Sequence, residues 1–125
     1  MIITTNEHLN NLVQAAYYRE LEIYQYQINI DNYNVMLSSL PTDEWPMHLG
    51  MYVNTPIDQL PIAMTDQDVD LVNDYQYRDR LRVAVRTERA EQSKAMRVLD
   101  ALKAQIGPEY DTLLAEFKAA QTPAA

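Results

Sequence analysis

Residues 66–105 read DQDVDLVNDYQYRDRLRVAVRTERAEQSKAMRVLDALKAQ, forty positions without a proline or a glycine. Thr65 with Asp68 forms a capping-box-like start, and Asp66, Asp68 and Asp70 lie where the positive end of a helix dipole favours them. Leu81, Ala84, Val85, Ala95, Met96, Leu99, Leu102 and Ile106 then fall on one helical face about 120° wide. Gly107 supplies a left-handed residue after the last turn, and Pro108 suits the first position of a following helix. The pattern therefore predicts one long helix over about 66–105. A short helix over about 108–121 follows, burying Tyr110, Leu113, Leu114 and Phe117, with a frayed tail from Thr122 to Ala125.

The same reasoning carries upstream. Thr4, Thr5 and Asn6 are candidate N-caps, and Glu7 sits in the first turn. No proline or glycine occurs from there to Ser39. Leu9, Leu12, Val13, Ala16, Tyr17, Leu21, Tyr24, Ile28 and Val35 recur at helical spacing, and Ile23, Tyr26 and Ile30 broaden the stripe beyond half the circumference. A helix over about 5–39 with so wide an apolar face needs at least two neighbours. Between the two helices, residues 41–64 read PTDEWPMHLGMYVNTPIDQLPIAM. Pro41, Pro46, Pro56 and Pro61 forbid a long helix there, and the spacing predicts one short helix over about 43–52, capped by Thr42. The expected fold is all-α: a single helical domain over 1–125, built as an antiparallel, coiled-coil-like hairpin of two long helices. A Pro-punctuated segment joins them and a short C-terminal helix follows.

Composition narrows the chemistry. The chain has no cysteine, which removes thiolate nucleophiles and cysteine-based zinc sites. Its two glycines leave no Gly-rich phosphate loop. Neither His8 nor His48 lies three residues after a glutamate, as the Glu-x-x-His pattern of di-iron helical bundles requires. No catalytic, cofactor-binding or metal-ligating set can be assembled from these residues. The net charge is −8, yet residues 1–77 hold eleven acids and one base while residues 78–125 hold seven acids and nine bases. An acidic chain is a poor general binder of nucleic acid, and the basic run Arg78–Lys103 reads better as a neutraliser of the acidic half. No apolar run approaches the ~18 residues needed to span a membrane and no signal peptide is visible. The expectation is a cytoplasmic protein, or one carried in a virion assembled there.

Two sets of residues stand out. Glu20, Gln27 and Asp31 lie within the apolar face of the first helix, while Arg78, Arg82, Arg86 and Arg89 border that of the second. With facing positions summing to about 109, Glu20 meets Arg89, Gln27 meets Arg82 and Asp31 meets Arg78, as a polar seam that fixes register. Glu88 and Gln92, also within the stripe, call for a tyrosine hydroxyl or an arginine as partner. The second set is a candidate interface: Tyr17, Tyr24, Tyr26 and Ile28 on the first helix, and Trp45, Met47, Met51 and Tyr52 between the helices. Trp and Tyr are enriched at interface hot spots, and Met adapts to irregular surfaces.

A forty-residue helix is about 60 Å long at ~1.5 Å per residue, against a radius of gyration of ~14 Å for a compact domain of this size. Such a hairpin leaves apolar surface for a partner. The functional expectation is a non-enzymatic protein–protein interaction protein that assembles with itself or within a larger complex. A structural or assembly component of a virus fits its size and simplicity. No nucleic acid, membrane, cofactor or small-molecule substrate is expected as partner. The rival expectation is a small acidic inhibitor whose carboxylates stand in for phosphates on a basic protein.

Overall fold

A computed structural model describes residues 6–121; Thr4, Thr5 and the tail from Thr122 lie outside that range. The elements are α1 (Glu7–Leu37), a 3-10 helix (Met47–Tyr52), a 3-10 turn (Ile57–Gln59), α2 (Asp66–Ile106) and α3 (Tyr110–Gln121). No strand forms among the described residues. The fold is the expected all-α hairpin of α1 on α2 with a short C-terminal helix.

The helix ends follow from local chemistry. The Asn6 side-chain oxygen accepts the Leu9 amide at 3.1 Å, so Asn6 caps α1. Thr65 does the same for α2, its hydroxyl accepting the Asp68 amide at 3.2 Å. α1 stops at Leu37, two residues short of the sequence expectation, because the Ser38 and Ser39 hydroxyls donate to the carbonyls of Val35 and Met36 and compete with a further turn. Gly107 has φ +88° and its amide closes α2 onto the Lys103 carbonyl at 2.9 Å. Pro108 and Glu109 form a turn, so α3 begins at Tyr110.

The expected helix over 43–52 capped by Thr42 is not what forms. The segment instead starts its 3-10 helix after Pro46, which sits at φ −54°, ψ 137° with no side-chain cap. Proline disfavours the α region for the residue before it, which keeps Trp45 out of a helix. The hydrogen bonds that a helix over 43–46 would need go elsewhere, as described below.

The chain divides into two compact units. The first comprises α1 to Ile28, α2 from Arg89, and α3. Its core is Val13 and Ala16 of α1, Leu99 and Ile106 of α2, and Tyr110, Leu113, Leu114 and Phe117 of α3, with Leu9, Leu12, Tyr17, Ile23 and Leu102 packed against them. The wide face of α1 is thus shared between two neighbours. The Tyr17 and Phe117 rings lie 5.1 Å apart, and Gln92 donates to the Ile23 carbonyl at 3.3 Å and to the Gln27 side-chain oxygen at 3.0 Å. The second unit spans Asn29 to Glu88. Ile30, Leu49, Val72, Tyr75, Leu81 and Val85 are its buried apolar side chains, and Asn29 donates to Glu88 at 3.2 Å.

Candidate functional site

None of the three predicted seam pairs forms. Glu20 accepts from the Tyr110 hydroxyl at 2.7 Å and from Lys118 at 3.0 Å, so α3 occupies the place given to Arg89. Gln27 meets Gln92, not Arg82. The guanidinium of Arg78 turns away from Asp31 toward Asp79 and the carbonyls of Pro41 and Asp43. Arg82, Arg86 and Arg89 are exposed. Facing positions sum to 119 in the first unit and 117 in the second. The physical reason is that a pattern repeating every turn fixes which faces meet, not how far the helices slide. Glu88 and Gln92 find amides and a carbonyl rather than a tyrosine or arginine.

The Glu20 cluster is electrostatically coupled. Burial pushes the Glu20 carboxyl up, but the hydrogen bonds from Tyr110 and Lys118 and the charges of Lys118 and Lys103 outweigh it, and its pKa falls below the ordinary value. Burial first, and the Glu20 carboxylate second, push the Tyr110 phenol well up. The Lys103 ammonium also stands 5.1 Å from the Tyr110 ring centre. This cluster ties α3 to α1.

In the second unit, one turn and a half of α2 holds residues 41–55 in place. Arg78 is only 3% exposed; its guanidinium donates to the Pro41 carbonyl at 3.3 Å and to the Asp43 carbonyl. It also lies 4.5 Å from the Tyr75 ring centre. The Tyr75 hydroxyl donates to the Asp43 carboxylate at 2.8 Å, and that bond, ahead of burial, raises the Tyr75 pKa. Trp45 donates from Nε1 to Asp79 at 2.8 Å and packs its ring 5.2 Å from Tyr75. Buried Gln76 donates to the carbonyls of Tyr52 at 2.8 Å and Thr55 at 2.6 Å. The Pro-broken segment satisfies only part of its own carbonyls by local bonds, such as Leu49 to Pro46 and Thr55 to Tyr52, and buried carbonyls need donors. Gln76 and Arg78 supply them, while Tyr75 donates to the Asp43 carboxylate and Asp79 accepts from Trp45. Residues 53–56 and the α2 side chains Gln76, Asp79, Arg80 and Val83 line an open cleft of about 530 Å³.

The candidate interface residues divide by exposure. Tyr17 packs in the core of the first unit, Tyr26 is half-buried with its hydroxyl on Glu22 at 3.2 Å, and Ile28 is half-buried. Trp45 and Tyr52 are half-buried members of the clasp, the set of contacts by which Tyr75–Asp79 hold residues 41–55. Tyr24, Met47 and Met51 stand out in solvent, 67%, 97% and 75% exposed. Leu21, Val35 and Met96, counted above as stripe residues, are also exposed, because the neighbours of α1 and α2 cover a narrower arc than the apolar pattern. Sequence reasoning missed Tyr75, Gln76 and Asp79 as a unit. The available signal was two donors, Tyr75 and Gln76, and one acceptor, Asp79, within a turn and a half of α2 opposite a segment broken by prolines.

Among the described residues no three His, Asp or Glu side chains converge as a metal site would need, and no helix is long and apolar enough to cross a membrane. No protein family, curated protein or solved structure shows a match to this chain.

Proposed function

We propose that the chain is a non-enzymatic interaction protein that works as a homo-oligomer or within a larger assembly, joined through the outer face of α1 in the first unit. One observation carries this reading. From Asn10 to Ile28 the outward face of α1 presents Asn11, Gln14, Tyr18, Leu21, Tyr24 and Gln25, all exposed and none charged. Tyr18 and Leu21 are 54% and 47% exposed. Interface cores are depleted in charge and enriched in tyrosine. Arg19 and Glu22 flank this face as an ion pair with each other at 3.0 Å, so it offers a cationic partner no net charge. Copies that each carry −8 repel wherever acids meet, and a face without net charge is where they approach at least cost.

The test is light scattering on a sizing column at about 10 μM, in low and ~0.5 M salt, because apolar association survives screening. A salt-resistant dimer or ring, made monomeric by Leu21→Asp with Tyr24→Asp at unchanged helicity, is the expected result. A wild-type monomer in both buffers overturns the reading. The rival, a phosphate-mimicking inhibitor, draws on the exposed Asp66 and Asp70 and predicts a basic partner released by salt. A virion or cytoplasmic setting accords with the assembly reading and is tested by locating the tagged protein.

A further inference from the structure

Residues 47–53 show a division of sides that solvent alone does not explain. In a 3-10 helix side chains three apart eclipse. Leu49 and Tyr52 share the inward side, and Leu49 is 1% exposed. Met47, Gly50 and Val53 share a second side, His48 and Met51 a third, and both of these face out. A methyl group placed on Gly50 would meet nothing within 4 Å. The outward sides thus carry two nearly bare methionines on a backbone pinned from behind by Arg78, Gln76 and the Trp45–Asp79 bond. Apolar side chains held out on a fixed backbone are preorganised for contact.

The sequence around them is acidic, although Arg80 lines the cleft with Val53. No lysine or arginine occurs between Arg19 and Arg78, while seven acids lie between Asp43 and Asp74. His48 reaches Asp68 at 3.5 Å, which brings the third outward side against the acidic first turns of α2.

We infer that this outward surface is a docking site for a cationic amphipathic segment of another protein. Its apolar side chains would cover Met47 and Met51, and its lysines or arginines would meet Glu44 and Asp68, the carboxylate that His48 reaches. Methionine is flexible and polarisable, which suits a groove that must fit an irregular apolar face. The acid rim steers a basic segment and repels a second acidic copy. This inference concerns a different surface from the α1 face and stands apart from self-association.

The probe is a labelled helical peptide of leucine and lysine in amphipathic order, without tryptophan. Its binding is read by anisotropy, and its location by the emission of Trp45, the one tryptophan of the chain. Controls are an oligolysine of equal charge and the same peptide with glutamate for lysine. We expect saturable binding that weakens with salt, with oligolysine and the glutamate peptide each bound at least about tenfold more weakly. Met47→Ser with Met51→Ser, both on exposed positions, should also weaken binding by about tenfold or more, while Leu21→Asp with Tyr24→Asp leaves it unchanged. The inference is overturned if the amphipathic peptide does not bind, if oligolysine binds equally well, or if the double-serine variant retains wild-type affinity. Self-association abolished by the double-serine variant, and not by the α1 variant, would make the occupant a second copy and overturn it too.

Discussion

Replacing Arg78 by Met keeps the aliphatic stem that fills the clasp and removes every donor. Two loop carbonyls, Pro41 and Asp43, lose a charge-assisted bond. Such bonds contribute about 1.5–3 kcal/mol each. Pro41 is half-buried and Asp43 exposed, so water regains part of both sites and the lower end applies, giving about 3 kcal/mol for the pair. The ion pair with Asp79, whose side chain is 36% exposed, adds only ~0.5 kcal/mol after screening. The contact with the Tyr75 ring adds ~0.5–1 kcal/mol. The expected loss is about 4 kcal/mol, a large share of the ~5–15 kcal/mol typical of a domain. In urea, with a slope of ~2 kcal/mol per molar, the midpoint falls by about 2 M. The assay follows Trp45 emission and helical ellipticity together. Trp45 reports the clasp and should move further and earlier than the helical signal. Arg78→Lys, which keeps the charge and loses the planar fork, should recover less than half of the loss. A midpoint within ~0.3 M of wild type for Arg78→Met, with unchanged Trp45 emission, would refute the claim that this side chain holds the segment.

Tyr110→Phe removes the hydroxyl that Glu20 accepts at 2.7 Å and should cost about 1–1.5 kcal/mol in thermal or urea unfolding; an unchanged midpoint would show that α3 docks without it. Because the folded pKa of Glu20 is lowered, its contribution is complete above the ordinary value of 4.5 and fades as pH falls through the folded value; Glu20→Gln should flatten that acid limb of the stability profile. The raised pKa of Tyr110 works in the opposite direction: its contribution holds below 10.0 and is lost as pH climbs beyond it, an alkaline limb that Tyr110→Phe should erase. Gly107→Ala, at φ +88° with open space around the new methyl, should cost about 1–2 kcal/mol from backbone conformation alone, measured by the shift in Tm.

The long helices and both ends of α2 were legible because each rests on local chemistry, whereas the short helix expected over 43–52 was not. Thr65 caps α2 through its own hydroxyl, and Gly107 turns the chain into α3. Tyr110, Leu113, Leu114 and Phe117 lie buried as their spacing predicts. Exposure was harder to read. Leu21 and Met96 carry the right spacing, yet burial depends on the width of the neighbour, which periodicity does not encode. The register failed for a related reason: a turn-by-turn repeat looks the same after sliding. What locks it are single polar contacts such as Gln27 with Gln92 and Asn29 with Glu88. Arg78 was read by charge and assigned to Asp31. Carbonyls left bare by prolines compete for a guanidinium as well as a carboxylate does, and that competition lies in tertiary structure.

The long interval without lysine or arginine has a practical side. Trypsin finds no bond to cut between Arg19 and Arg78, so residues 20–78 leave a digest as one piece however freely the loop moves. The arginine that ends this fragment is the one buried in the clasp. Cleavage after exposed Arg80 or Arg82 needs only local unwinding of α2, whereas cleavage after Arg78 also needs residues 41–55 to let go. The ratio of the two fragment ends, under conditions where opening is faster than cutting, therefore measures how often the loop is released separately from how often the helix frays.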